Sequence, residues 1–598
     1  MAKIFEIEAQ RASMTCFLNS LLREWGLWDH VELPELLKRP GQITSGIRID
    51  VLGGEKLWIP LEHWSSLGRH EYGWPVYLEA ESSTYEILDF HALSQLLIDT
   101  IEVKEGNVAQ SKQRFKARVE DSLIAVQEVL SHRSQDLSEL SLQSMSFLDA
   151  EQYLVVGHSF HPSPKSREGF TAEDRQRYCP EYAGKFPLAW FAVDPYIVRR
   201  VSSEAFAGKN WVQELIEADP LLSSLVDAKI PEGFLLYPMH PWQALHLLAM
   251  PKMKAHQSEG RILSLGEHGG SWYPTSSVRS IYQPKSPYML KTSLSVRLTN
   301  SVRTLLLREV DRGVQAHDVF CSSEGKKLLA LYPDFKVIYE PAYWAILDDE
   351  ANPIDESIVI CRMNPFEADE SGQGLVLASL TQDDPFYGET VIETLIESYR
   401  QDHAVSGRVA SELWFDRYCR VVLEPLLMAQ ADFGILLGAH QQNILVAMED
   451  SLPKTLYFRD CQGTGYSELA YENLKDEIAS LDLTNGNVLP KDMANTLFIY
   501  YLFINATFNV ISTIARKGHL SEDAMIESLR NILLEMLSRK PRDPSCIMQL
   551  LMNEKILHKG NFICSIQDIN ENTTQNPLAI YTPIVNPFYQ NQASEKIH

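Results

Sequence analysis

The chain has 598 residues, 45% hydrophobic and 22% charged, with 79 Asp and Glu against 54 Lys and Arg for a formal charge of -25. That length exceeds what one hydrophobic core accommodates, so several domains are expected, with the composition of a soluble globular protein. The acidic balance excludes a general nucleic-acid-binding surface, which needs a basic face, but it leaves room for a local site that takes small anions.

The eight cysteines (Cys16, Cys179, Cys321, Cys361, Cys419, Cys461, Cys546 and Cys564) stand singly, without Cys-x-x-Cys or zinc-ligand spacing. That pattern fits a reduced, cytoplasmic chain. Met1-Ala2-Lys3-Ile4-Phe5-Glu6 lacks the basic-then-apolar start of a signal peptide. The most apolar stretch, Leu497 to Ile511, is interrupted by Asn505 and Asn509. It is too short and too polar for a membrane span and is expected as a buried helix, so no membrane partner is expected.

In chain order, apolar spacing at Met14, Phe17, Leu21 and Leu22 predicts an amphipathic helix over about Ile7 to Trp25. Short strand-like runs follow at Lys56 to Leu61 and Thr84 to Leu88, then helices at His91 to Leu97 and about Ser111 to His132. The polar stretch Arg133 to Ser146 is expected as a hinge. The middle of the chain, about Glu151 to Cys361, is richer in strands, the clearest being Leu188 to Val193, Phe234 to Pro238 and Leu294 to Leu298. Beyond Arg362 the chain is expected to be mostly helical, with a densely apolar helix over about Ala410 to Ala429.

Cations gather in two stretches of this acidic chain. The first is Gly157-His158-Ser159-Phe160-His161-Pro162-Ser163-Pro164-Lys165-Ser166-Arg167. With no carboxylate close by, zinc ligation by its histidines is disfavoured, and hydrogen bonding to nucleotide phosphate by His158 and His161, with Lys165 and Arg167, fits better. The second begins at Thr275-Ser276-Ser277-Val278-Arg279-Ser280, after a turn-rich approach. Hydroxyls such as Ser277 and Ser280, with turn N–H groups, can hold phosphate oxygens while Arg279 supplies a charged fork. Period-2 alternation then puts Lys291, Ser293, Ser295, Arg297 and Thr299 on one strand face, toward a cleft or toward solvent. Arg303, just beyond, has the planar geometry of a carboxylate clamp. His240-Pro241-Trp242-Gln243 fits either a structural or a site role.

Ile444 to Met448 and Thr455 to Arg459 are strand-like, separated by the turn-like Glu449 to Lys454. Antiparallel pairing would bring Asn443 and Asp460 side by side, a hard-oxygen pair suited to Mg²⁺ and phosphate oxygens, with His440 nearby. Protein kinases use a related Asn and Asp for that task; the alternative is a turn-capping Asn443 and a solvated Asp460. No Gly-x-Ser-x-Gly elbow, Walker A or dinucleotide glycine fingerprint occurs.

Gly157 to Ser166, Tyr237 to Gln243, Pro274 to Ser280, Lys291 to Arg303, His440 to Asn443 and Arg459 to Gly463 together resemble the IucA/IucC family of NRPS-independent siderophore synthetases. Lys559 to Phe562 and Asn570-Glu571-Asn572 extend the similarity over nearly the whole chain, which looks most like the aerobactin-type, citrate-activating members. The resemblance implies an α+β, multidomain, hand-like fold: thumb (1–150), fingers (151–361) and a palm (362–598) related to the kinase hairpin, in a homodimer. It further implies ATP and Mg²⁺ as cofactors, with citrate and an amine or hydroxamate precursor as substrates. Phosphates would meet His161, Lys165, Ser277, Arg279, Ser280 and Lys291. Citrate would meet Thr299, Arg303, His440 and Gln442, with Arg303, His440 and Lys291 as catalytic groups. Asn443 and Asp460 would lie near the metal. Many relatives carry a Glu where this chain has Gly438, so this position offers no side-chain ligand and a side chain there could clash.

The implied reaction adenylates one carboxylate of citrate and passes the acyl group to an amine. Alternative acids within the family are a citryl monoamide, a succinyl hydroxamate and 2-oxoglutarate. A small-molecule kinase is the physical rival, because it shares the hairpin logic.

Overall fold

The computed structural model describes residues 2–39, 43–80, 84–102, 108–140, 142–222, 230–299, 301–366, 374–386, 388–483, 486–569 and 576–590. Asn570-Glu571-Asn572 lie outside the described residues. Helices and mainly antiparallel sheets surround one continuous apolar cluster that runs from Ala9 to Phe588, with two small satellite clusters.

The first helix, Ala2–Glu24, buries the expected Met14, Phe17, Leu21 and Leu22. It packs on the long helix Val108–Glu139 and on Asn561–Gln567, where the rings of Phe17, Phe115 and Phe562 meet. In the sequence between the first helix and Val108–Glu139 lies a six-stranded sheet that includes Lys56–His63 and Tyr85–Leu88. The hinge expected from Arg133 onward is helical as far as Glu139. Arg133 is the reason: its guanidinium donates to the carbonyls of Gln152 (2.7 Å) and Glu181 (3.1 Å), so tertiary hydrogen bonds anchor a segment that is polar by composition.

The middle region is an eight-stranded antiparallel sheet. Its order is Leu235–Met239, Phe186–Val193, Ile262–Pro274, Ser280–Tyr282, Tyr288–Thr292, Val359–Met363, Ala342–Ile346 and Val198–Ser202. The single strand face expected from Lys291 to Thr299 does not form. The chain leaves this sheet at Ser293, whose hydroxyl donates to Asp355 O (2.6 Å) and accepts from Leu305 N (2.9 Å). Leu294–Leu298 then joins a separate three-stranded sheet with Arg167–Glu168 and Ser301–Arg303. Lys291 therefore stays in the large sheet, while Arg297 pairs with Asp568.

The hairpin forms from Ile444–Glu449 and Leu452–Phe458, in register Ile444↔Phe458. Its turn is tighter than expected, just Asp450 and Ser451, both at positive φ (53° and 60°), as right-twisted two-residue hairpins require. Leu375–Val376 and Phe335–Val337 flank it, the latter in parallel, so the sheet uses strands from both sides of residue 361, and Val359–Met363 runs straight through that position. The apolar helix around residue 420 is a continuous run of Gly407–Tyr418, a π-helical Cys419–Leu423 and Glu424–Phe433.

The stretch expected as a short buried helix is longer than its apolar core suggested. Lys491–Ala515 is helical over 25 residues, with a π-helical Tyr500–Thr507, and is long and apolar enough to cross a membrane by length and composition. It is nonetheless packed inside the protein, where Asn505 serves the site: it bonds His158 Nε2 (3.0 Å) and accepts from Gln441 N (3.1 Å).

Candidate active site

Two chambers, of about 350 and 630 Å³, open side by side between the middle sheet and the hairpin. Arg279, Ser301, Arg303, His440, Asp460 and Tyr501 line both. Two of the cations the sequence singled out, Arg279 from the turn at residues 275–280 and Arg303 from the three-stranded sheet, thus meet at one boundary.

A buried ion pair assembles this boundary. Arg459 Nη1 and Nη2 bond the two Glu151 oxygens at 2.6 and 3.3 Å, with Glu151 wholly buried. Glu151 also accepts from Ser276 N (2.7 Å), and Arg459 reaches Ser276 Oγ (3.1 Å) and Gln442 O (3.0 Å). One pair therefore ties the helix Phe147–Tyr153, the turn at residues 275–280 and the hairpin ends into a single frame. Sequence reasoning missed this, because Glu151 and Arg459 carry no local pattern.

Lys291 is buried and donates to Asp460 Oδ1 (2.5 Å) and Gln462 Oε1 (2.6 Å), with Glu340 at 3.5 Å. Glu340 in turn holds Arg362 (2.5 Å). Burial alone would raise the Asp460 pKa, but Lys291, Arg362 and Arg279 outweigh it and hold the carboxyl well below the usual range. Asp460 is therefore ionised, with a side chain 30% exposed toward the chambers and paired with Lys291. Burial lowers the Lys291 pKa, and Asp460 and Glu340 oppose that shift.

Arg279 lies beside Arg303 and donates to its carbonyl (2.9 Å). Arg303 donates to Thr299 Oγ1 (2.9 Å) and Leu298 O (3.2 Å), so the two expected citrate residues sit together. Thr299 holds a left-handed φ of 56°, costly for a β-branched residue and a mark of a turn constrained by its surroundings. Burial brings the Arg303 pKa down to about 10, which leaves it charged at neutral pH.

Burial likewise lowers His440 to about 4, so its ring is neutral near pH 7. Gln442 N donates to His440 Nδ1 (3.3 Å), which assigns the proton to Nε2 and makes that edge a donor. The Gln442 side chain lies 3.5 Å from Ser276 Oγ in the smaller chamber. Asn443 borders the larger one, and its amide nitrogen donates to Gly438 O (2.9 Å), leaving the amide oxygen as the group's acceptor. At Gly438 an added Cβ would meet only Gly463 O, at an ordinary 3.6 Å. The backbone there thus leaves room for a Cβ.

The remaining residues divide. Ser277 and His161 line the smaller chamber, and Ser277 Oγ accepts from Ser280 N (3.2 Å). Ser280 does not line it; it opens the strand Ser280–Tyr282, and its hydroxyl is buried. Lys165 borders the chamber, but its ammonium donates to Leu154 O and sits 3.5 Å from Glu181, which also pairs with Arg167 (2.7 Å). Arg297 is outside the cleft, on Asp568. His240 proves structural: fully buried between Tyr178 and Phe186, it caps the helix Pro241–Ala249. Lys559 and Asn561 close the smaller chamber, with Asn561 bonded to Phe160 O (3.0 Å). Tyr500, Tyr501 and Asn505 also line it, a contribution hidden in the sequence because their helix looks uniformly buried.

Comparison with known proteins agrees with this geometry. A model of the IucA / IucC family matches residues 146–382, and one described as ferric iron reductase FhuF-like transporter matches residues 412–574. The chain is 37% identical over 576 residues to the N(2)-citryl-N(6)-acetyl-N(6)-hydroxylysine synthase of Vibrio mimicus, covering 96% of this chain and 95% of that one. It is 34% identical to the Escherichia coli protein of the same name, covering 97% and 98%. The solved structure of ATP-bound aerobactin synthetase IucA from Klebsiella pneumoniae superposes with a TM-score of 0.88 at 32% identity, over 97% of this chain and 100% of that one. The α+β, multidomain, hand-like fold is common to both.

Proposed function

The chain belongs to the IucA/IucC family, and on that premise we propose how its cleft works: it is an ATP-dependent, amide-forming synthetase of siderophore biosynthesis that joins a carboxyl group of citrate to an amine. The observation that carries the proposal is the meeting of Arg279, Arg303, His440 and Asp460 at the boundary of two chambers, with Lys291 buried behind Asp460.

A carboxylate is a poor acyl donor because its leaving group would be oxide. In the first half-reaction a citrate oxygen attacks the α-phosphorus of ATP, and pyrophosphate leaves with the electron pair of the broken P–O bond. Arg279 and Lys291 stabilise charge on the phosphoryl oxygens, with Ser277 and His161 as further phosphate contacts. Arg303 and Thr299 hold a citrate carboxylate, and Gln442 borders the same space. In the second half-reaction the amine nitrogen attacks the acyl carbon, AMP leaves, and the nitrogen gives up a proton. His440, neutral and carrying its proton on Nε2, donates to the acyl oxygen during attack. Lys165 and Ser280 support the phosphate residues from behind.

At the hairpin end the Asp460 carboxylate and the Asn443 amide oxygen are the hard oxygens that would hold Mg²⁺, which would neutralise phosphate charge there. Asp460→Asn is expected to raise the Mg²⁺ concentration needed for half-maximal rate, with the fold retained. A titration with wild-type Mg²⁺ dependence and wild-type rate would move the metal elsewhere.

The reading is tested by exchange of labelled pyrophosphate into ATP. Citrate should support exchange, and adding an amine should release AMP. Arg303→Ala should lose citrate affinity more than nucleotide affinity, by roughly 10- to 100-fold for one charge-assisted contact. Exchange with a citryl monoamide, succinyl hydroxamate or 2-oxoglutarate but not citrate would change the substrate, and ADP with phosphorylated citrate would indicate the kinase. Division into thumb (1–150), fingers (151–361) and palm (362–598), homodimerisation and cytoplasmic residence complete the proposal; sedimentation of the purified chain tests the dimer.

A further inference from the structure

Outside both chambers, at one end of the eight-stranded sheet, His256, Glu259 and Asp349 place their ligand atoms within 4.8 Å of one another. His256 lies on the helix Pro251–Ser258, and Glu259 is the C-cap of that helix. The chain then enters Ile262–Pro274, the third strand of the sheet. Asp349 stands in the turn that follows Ala342–Ile346, the seventh strand. The linker between Phe186–Val193 and Val198–Ser202 binds both strand ends: Asp194 N donates to Arg261 O (2.9 Å), and Leu347 N to Ile197 O (2.8 Å). Strands that are not neighbours in the sheet thus bring one imidazole and two carboxylates together.

His256 is the group whose position asks for a cation. Its side chain is fully buried. Nε2 donates to Leu347 O (2.7 Å), which can only accept, so in the neutral ring Nδ1 holds the lone pair. Nδ1 makes no hydrogen bond among the described residues and lies 3.9 Å from Asp349 Oδ1. Two acceptors therefore oppose each other across a gap too wide for a shared proton. A metal bonded to each at about 2.0–2.1 Å spans it. A ring N–H bonded to a backbone carbonyl is also how a ligating histidine is commonly held. The two acids already converge on positive charge, since Arg261 Nη2 pairs with Glu259 and with Asp349 (2.7 Å). That guanidinium satisfies the acids and leaves His256 Nδ1 without a partner.

We infer that His256 Nδ1, Asp349 and Glu259 form a peripheral site for a divalent transition-metal ion, with Zn²⁺ as the fitting probe. One imidazole nitrogen with two carboxylate oxygens suits Zn²⁺, whereas Mg²⁺ and Ca²⁺ favour oxygen ligands throughout. The Asp349 and Glu259 side chains are 60% and 54% exposed, so the ion enters from solvent and these side chains close around it. Water completes its coordination, and Arg261 gives up its place between the acids. The bound ion pins the helix end at Glu259 to the turn at Asp349, and this role is independent of the reading of the cleft.

The test titrates chelator-treated protein with Zn²⁺ against a chromophoric competitor, without citrate or nucleotide. Wild-type protein should bind Zn²⁺, and an excess of Mg²⁺ should leave it bound. Asp349→Asn and His256→Gln should each weaken binding by at least about 10-fold, since even loss of an outer-shell partner costs about 10–100-fold. Asp349 is exposed, so D349N keeps the test valid if the buried His256 proves necessary for folding. Arg261→Gln should tighten binding, because it removes the competing cation. Zn²⁺ should also raise the unfolding temperature of the wild type more than that of D349N, since only the folded chain assembles the site. Absence of Zn²⁺ binding in the wild type, its displacement by Mg²⁺, or wild-type affinity in D349N would overturn the inference.

Discussion

Lys291→Ala is expected to lower citrate-dependent pyrophosphate exchange by roughly 10²–10³-fold, the usual cost of deleting one preorganised donor at a developing charge. The ammonium has no substitute in place. It is almost fully buried, sits 2.5 Å from Asp460 and 2.6 Å from Gln462, and comes from the central sheet rather than a mobile surface arm. Its removal has a second consequence, because Asp460 loses its nearest counter-charge while Arg279 and Arg362 remain. The carboxyl pKa should then rise, and the activity remaining in K291A should fall off at higher pH than in the wild type as Asp460 protonates. Glu340 keeps Arg362, so the fold should hold, as circular dichroism and thermal unfolding can check. Exchange at the wild-type rate in folded K291A would remove this residue from the adenylation site.

Arg459→Met should be the most damaging substitution for stability, at about 3–5 kcal/mol, because it leaves the Glu151 carboxyl buried without its partner. The reasoning turns on asymmetry. A buried pair contributes little net stability, since desolvation of both charges offsets their attraction, but breaking it exposes the whole desolvation cost of the survivor. Glu151 would keep its bond from Ser276 N and nothing else of opposite charge. The double variant Glu151→Leu/Arg459→Met removes both charges and should recover much of the loss. The turn at residues 275–280 and Gln442 both hang on this pair, so R459M should also lose activity beyond what its stability predicts. The transition of the domains that share this frame, followed by thermal scanning, is the relevant measurement, because a chain of this size need not unfold in one step. A single variant as stable as the wild type would show that Glu151 is satisfied in some other way.

Much of the site was legible because its parts are local. Apolar alternation on both sides of Asp450 and Ser451 specifies a hairpin, and a hairpin of any turn length brings Asn443 beside the residues that follow Phe458. Arg459 N does bond Asn443 O at 3.0 Å. The hydroxyl-rich turn at residues 275–280 reads as an anion site from composition alone, and Ser277 and Arg279 line the cleft. Thr299 and Arg303 are four residues apart, close enough for one turn to join them.

What failed was inference that ran period-2 alternation through Ser293. Periodicity assumes a continuous strand, and a serine that bonds two neighbouring segments can end one without any Gly or Pro to mark the place. Lys291 and Arg297, expected on one face, went to different sheets and different partners. Ser280 likewise belongs to the turn by sequence and to a buried strand by structure.

The sequence by itself determined the hydroxyl-rich turn, the hairpin end and the family to which they belong, because spacing within about twenty residues survives any arrangement of the rest. The pairing of charges was decided only in three dimensions. Lys291 and Asp460 are 169 residues apart, and Glu151 and Arg459 are 308 apart. No short-range pattern encodes such pairs, since any buried cation could serve any buried carboxylate until the order of the strands brings one of each within 3 Å. The second chamber, with Arg312 fixed by Gly486 and Asn487 against the apolar side of Lys491–Ala515, follows from the same cause: its walls are neighbours only once the middle sheet has closed on the last helices.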